Sequence, residues 1–126
     1  MNKIKKFTDL DAWKEAHKLT LLIYNYTKSF PKSEIFGLTS QLRRASVSVE
    51  SCIAEGFYRF HYKERVNFYY KSRGSLAEVH SQSITSKDLG YLADNSFEKI
   101  FEQLEVTSKV LNGLIRSTIR RSNSNI

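Results

Sequence analysis

Three histidines, His17, His61 and His80, and one cysteine, Cys52, are the side chains of this 126-residue chain best suited to metal binding or nucleophilic catalysis. A structural zinc needs Cys and His ligands gathered at short, characteristic spacings. Here the three histidines fall on separate segments, with no cysteine or carboxylate at such a spacing. They are expected to be surface or half-buried packing residues, and no metal or cofactor is expected. Cys52 as a nucleophile would require a histidine base and an exposed, electropositive setting. It lies instead on the apolar stripe Leu38, Leu42, Ala45, Val49, Cys52, Gly56, which predicts a buried, inert thiol. The serines at 46, 48, 51, 72 and 75 lack the glycine elbow that exposes a catalytic hydroxyl, and no glycine loop could cradle a phosphate. Enzyme chemistry is therefore not expected.

A different chemistry is suggested by the stretch Phe57–Arg73, which interleaves Phe57, Tyr58, Phe60, Tyr62, Phe68, Tyr69 and Tyr70 with Arg59, Lys63, Arg65, Lys71 and Arg73. Single-stranded nucleic acid is held by such combinations, bases stacking on rings and phosphates meeting cations. Helical geometry sends these residues in several directions, so most rings are expected in the core or at a subunit interface. The cations are the better candidates: Lys63, Arg65, Lys71 and Arg73, joined by Arg116, Arg120 and Arg121. A formal net charge of +7 and a pI near 9.6 suit a polyanion, either nucleic acid or an acidic membrane surface. The same charge would also serve simply to keep a basic protein soluble. Arg44, Glu55 and Glu78 sit within or beside apolar helix faces and are expected to form interhelical ion pairs that fix register, since a buried charge is tolerated only when paired.

The elements that position these residues follow from periodicity. With five glycines and one proline, Pro31, turn signals are too sparse for a β-sandwich. Four apolar stripes of helical period predict an all-α, antiparallel, up-down-up-down four-helix bundle with helices near residues 10–29, 37–55, 62–89 and 95–119. Thr8 and Asp11 read as a capping box, Gly56 as a left-handed C-terminal cap, and Gly90 as the end of the third helix. Gly74, inside that helix, is expected to be offset by close backbone packing. The first helix carries two stripes, Leu10, Trp13, His17, Leu21, Tyr24 and Ala12, Ala16, Leu19, Ile23, Tyr26, Phe30. That is more than one bundle face requires, and points to a further contact, as in a homo-oligomer. The chain reads as a single domain over 1–126, flexible near 1–7 and 120–126. The N-terminal run Met1–Phe7 is basic, lacks the apolar core of a secretory signal, and no segment nears the roughly 20 apolar residues of a membrane span. One cysteine excludes an internal disulfide, so a cytoplasmic protein with no membrane partner is expected.

The segment from Phe36-Gly-Leu-Thr-Ser-Gln-Leu-Arg-Arg to Ile53-Ala-Glu-Gly56 resembles the bacterial four-helix-bundle proteins associated with intervening sequences in 23S ribosomal RNA genes. Phe7-Thr-Asp-Leu-Asp-Ala-Trp13, Phe30-Pro31, Arg73-Gly-Ser-Leu-Ala-Glu78 and Leu89-Gly-Tyr-Leu92 match as well, so the likeness spans nearly the whole chain. The resemblance implies a homopentameric, barrel-like assembly. It also extends to accessory variability proteins of diversity-generating retroelements, which implies RNA or DNA as a ligand and a reverse transcriptase as a partner. Cys52 stands where an Asn is usual, and Glu50-Ser51 replace a small or proline-containing pair. The function expected is a non-enzymatic, oligomeric, basic scaffold that binds RNA or DNA electrostatically. The alternative is a protein-binding adaptor that uses the surplus apolar face of the first helix.

Overall fold

The computed structural model describes residues 3–124, and no strand occurs among them. The helices are α1 (Asp11–Thr27), α2 (Leu38–Phe57), α3 (Tyr62–Asp88) and α4 (Asp94–Ser124), with single 3-10 turns at Phe7–Asp9 and Lys32–Glu34. Each helix packs on the next and α4 closes on α1, which makes a four-helix bundle with α1 diagonal to α3. The neighbours are antiparallel, because contact partners run in opposite directions: Thr27 meets Arg43 while His17 meets Glu50, and Ser48 meets Ser75 while Gln41 meets Gln82.

The stripes sort as helical geometry requires. Ala12, Ala16, Leu19 and Ile23 of α1 are buried with Leu42, Val49 and Ile53 of α2, Val79 of α3 and Ile100 and Leu111 of α4. The other α1 stripe is divided: Leu10 is buried and Trp13 and His17 are half-buried, while Leu21 and Tyr24 face outward, 57% and 40% exposed. Cys52 is only half-buried, its Sγ 3.7 Å from Ser48 Oγ. On α3, Ile84 turns out to solvent, and the buried face is instead rich in hydroxyls: Ser72, Ser83 and Ser86 are fully buried.

Ser86 Oγ donates within α3 to the Gln82 carbonyl (2.8 Å) and Ser83 Oγ has no partner among the described residues, but Ser72 and other small polar side chains tie the helices together. Ser72 Oγ donates to the Val49 carbonyl (2.7 Å), and Ser48 and Ser75 meet at 2.8 Å, joining α2 to α3. Thr20 Oγ1 reaches the Ser46 carbonyl at 3.1 Å between α1 and α2. Gln103 Nε2 donates to the Glu15 carbonyl (3.0 Å) between α1 and α4, next to the fully buried Thr107. Small hydroxyls let backbones approach while satisfying polar groups that would otherwise be costly to bury.

Several local expectations are corrected. Thr8 and Asp11 form no capping box. The α1 N-terminus follows Leu10 without a side-chain cap, and Asp9 instead accepts the Lys5 and Lys6 amides at 3.0 and 3.1 Å. Gly56 is not a left-handed cap, since α2 runs through it and Gly90 is the one positive-φ glycine among the described residues. Gly56 is buried because α3 comes so close. A Cβ there would stand 2.8 Å from Tyr69 Cε1 and 2.9 Å from Phe68 Cβ. Gly74 is exposed with nothing within 4 Å, so the expected close packing is absent from the bundle. Residues 120–124 continue α4, which runs past its expected end near 119, whereas 125–126 lie outside the described residues.

Gly90, at φ 82°, ends α3 in a Schellman turn, with Tyr91 N bonded to the Ser86 carbonyl and Gly90 N to that of Lys87, both at 2.9 Å. The turn delivers Tyr91, whose hydroxyl donates to Glu34 Oε2 (3.1 Å), while Glu34 Oε1 accepts the Leu38 amide at the start of α2 (3.1 Å). One carboxylate thus caps a helix and clamps two loops. Glu34→Ala is expected to lower stability by about 1 kcal/mol in denaturant melts. The bond to Glu34, and after it burial, raises the Tyr91 pKa above 10.0. The neutral phenol is the form that donates, so its contribution is complete below 10.0 and is lost as pH rises through the raised folded value. Thermal melts should show the advantage of the wild type over Tyr91→Phe vanishing above that value.

Candidate nucleic-acid interface

The helices differ in length. α1 has 17 residues and α4 has 31, about 25 Å against about 46 Å at 1.5 Å per residue. The C-terminal turns of α4 therefore run past the start of α1, and residues 3–10 cross the space left over. That mismatch opens a cleft of about 1320 Å³ between the N-terminal segment, the first turns of α1 and α3, and the end of α4.

Among the described residues six cations line the cleft, Lys3, Lys5, Lys6, Lys14, Arg65 and Arg121, against two carboxylates, Asp9 and Asp11. Asp9 is committed to the Lys5 and Lys6 amides, which hold its carboxyl below the ordinary value. Tyr69, 2% exposed, forms part of the floor. Burial pushes its phenol up, and the charges of Arg65 and Arg121 pull the other way. Arg65 is held in place: Nε donates to the Arg59 carbonyl (2.7 Å), and the guanidinium lies 4.9 Å over the Tyr62 ring. On the far side of Tyr62 and Arg65 a second depression, about 740 Å³, adjoins Phe60, Lys63 and Ser122. Beside both, an aromatic chain runs from Trp13 through Phe7 to Tyr58, with centroids 5.3 and 6.0 Å apart.

The cations singled out by sequence are divided among several surfaces. Arg65 and Arg121 share the cleft and Lys63 borders the second depression. Lys71 lies across the ring of Phe68 (4.8 Å), which also carries Arg59 (4.5 Å), on the side of α3 that meets α2. Arg73 stacks on Tyr70 (4.9 Å), reaches Asn112 Oδ1 at 3.3 Å, and borders an outer α3–α4 groove. Arg116 and Arg120 are exposed on α4 outside the cleft lining. The lysines of the N-terminal segment and Lys14 were missed as site residues; the basic run before Phe7 was the available signal.

Arg44, Glu55 and Glu78 are all exposed, and the expected interhelical ion pairs do not form among the described residues. Among the described residues the ion pairs are Lys18–Glu15 (3.0 Å) and, when the imidazole is protonated, His17–Glu50 (2.9 Å). Glu50 thus links α2 to α1, and His17 stacks on Trp13 at 4.8 Å. His80 packs against Phe101, and no group of three His, Cys, Asp or Glu is placed to hold a metal among the described residues. No helix among them is long and apolar enough to cross a membrane.

No curated protein matches the chain. The family described as "23S rRNA-intervening sequence protein" matches residues 8–113. The match takes in α1, α2, α3 and most of α4, and leaves Lys3, Lys5, Lys6 and Arg121 of the cleft outside it. The chain therefore belongs to the 23S rRNA-intervening sequence protein family.

Proposed function

We propose that the protein is a non-enzymatic scaffold that binds RNA or DNA electrostatically through the basic end of its bundle. The observation that carries this reading is the cleft, with six cations against two carboxylates around one concave surface. Concave walls of low dielectric focus such a field, and each phosphate that meets a cation releases condensed counterions. Arg65, Arg121 and Lys63 belong to this surface, while Lys71, Arg73, Arg116 and Arg120 supply the field around it. Fluorescence anisotropy with labelled RNA across a salt series is the test. Affinity should fall steeply and linearly in log–log form with little preference for sequence, because no base-reading motif faces the cleft. Absence of binding at low salt would transfer the case to a protein-binding adaptor, for which the exposed Leu21 and Tyr24 of α1 are the candidate contact.

The same exposed stripe supports a homo-oligomer, and the family resemblance supplies the number five. Assembly would repeat the cleft around a ring and multiply a modest affinity. Light scattering is expected to give about five times the 14.6 kDa chain mass; a monomer at micromolar concentration would refute the assembly. A reverse transcriptase partner is carried by the resemblance alone.

A further inference from the structure

We infer that the corner between α2 and α3 stacks unpaired bases through Phe60, which makes single-stranded nucleic acid the preferred ligand; this rests on the electrostatic reading above. Phe60 is 87% exposed and Tyr58 63%, both in the four-residue connection between Phe57 and Tyr62. Rings of that size in a short turn contribute almost nothing to the core, and leaving them in water forgoes the burial that aromatic residues ordinarily gain. Phe60 does not stand alone: it meets His61 in a T-shaped pair, centroids 5.0 Å apart at 89°, and at 87% exposure its ring stays open to a flat partner.

The surroundings specify the partner. Phe60 borders the second depression together with Lys63 and Arg65, and Arg65 is also a wall of the basic cleft. Among the described residues one carboxylate, Glu64, lines the depression and leaves the cations in excess. A strand whose phosphates follow the cleft therefore passes Arg65 and presents its next bases at Phe60. A base stacks on such a ring only when its face is free, which in a duplex it is not. The aromatic–cation interleaving of Phe57–Arg73 thus acts at one corner, through the ring of that stretch that the bundle leaves most exposed.

The experiment compares a fluorescein-labelled oligouridylate, alone and annealed to oligoadenylate, on wild type, Phe60→Ala and Phe60→Trp. The wild type should prefer the single strand. Phe60→Ala should weaken single-strand binding by about tenfold, the loss of one stacked base, with duplex binding and the salt slope unchanged. Phe60→Trp should restore the affinity. Equal, salt-dependent binding of both ligands, unmoved by Phe60→Ala, would overturn the stacking role and leave the electrostatic reading standing. No binding of either ligand by the wild type would remove the electrostatic reading itself. A changed mass of Phe60→Ala in light scattering would assign the ring to a subunit contact and overturn the inference.

Discussion

Replacing Lys5, Lys6 and Lys14 together by Gln is expected to weaken binding of single-stranded RNA by roughly two orders of magnitude at low salt. The magnitude follows from counterion release: three phosphate contacts on a single strand account for about two units of the log–log salt slope. The slope should flatten by that amount and the curves of mutant and wild type should converge at high salt. Glutamine removes the charge but keeps a polar side chain and the backbone donors, so the amides of residues 5 and 6 can still serve Asp9. The paired control is Lys71→Gln with Arg73→Gln, which removes charge of the same sign from other faces of α3. It should shift affinity only a few-fold, through the weaker long-range field. Equal losses in the two variants would show that the whole basic surface, and not the cleft, carries binding.

The second large effect is on stability, and its sign depends on which glycine is changed. Gly56→Ala is expected to destabilise the fold by about 1–3 kcal/mol, lowering the melting temperature by roughly 5–10 °C. The added methyl would meet Phe68 Cβ at 2.9 Å, an atom too close to its own backbone to move aside, so α2 and α3 must separate. Gly74→Ala should do the opposite, adding up to about 1 kcal/mol by restoring helix propensity at a site with nothing within 4 Å. If another copy seats against that face in an assembly, Gly74→Ala should instead lower the light-scattering mass. Thermal melts of the two variants side by side separate these outcomes.

How much of this was legible in the sequence varies with the kind of signal. Pro31 and Gly90 punctuate the chain at the backbone level, and the breaks near them fell where expected. Gly56 carries the same letter as Gly90 but answers to a neighbour, the ring of Tyr69, which no local rule reveals. Arg44, Glu55 and Glu78 each precede a buried residue, Ala45, Gly56 and Val79. One position along a helix is 100° of rotation, enough to turn a side chain from the seam into water. The serines drew attention as possible nucleophiles, and their use in joining helices depends on carbonyls supplied by another segment. The cleft was the least legible feature, because it arises from the unequal lengths of α1 and α4 and from where residues 3–10 cross.

The hydroxyl seams have a mechanical consequence. Leucine against leucine fixes axial position only through the fit of ridges into grooves, since apolar contact has no preferred direction. A hydroxyl seated on a particular carbonyl works like a detent. Moving α3 along α2 by one turn carries the Ser72 hydroxyl about 5.4 Å from its acceptor at Val49 and would leave buried polar atoms unmatched. Thr20 and Gln103 set the same kind of stop for α1 against α2 and α4. Axial slip is thereby opposed at three of the four seams, and a bundle so pinned should respond along its length as one body. A load applied at the basic end would reach the opposite loops without being absorbed by shear between helices.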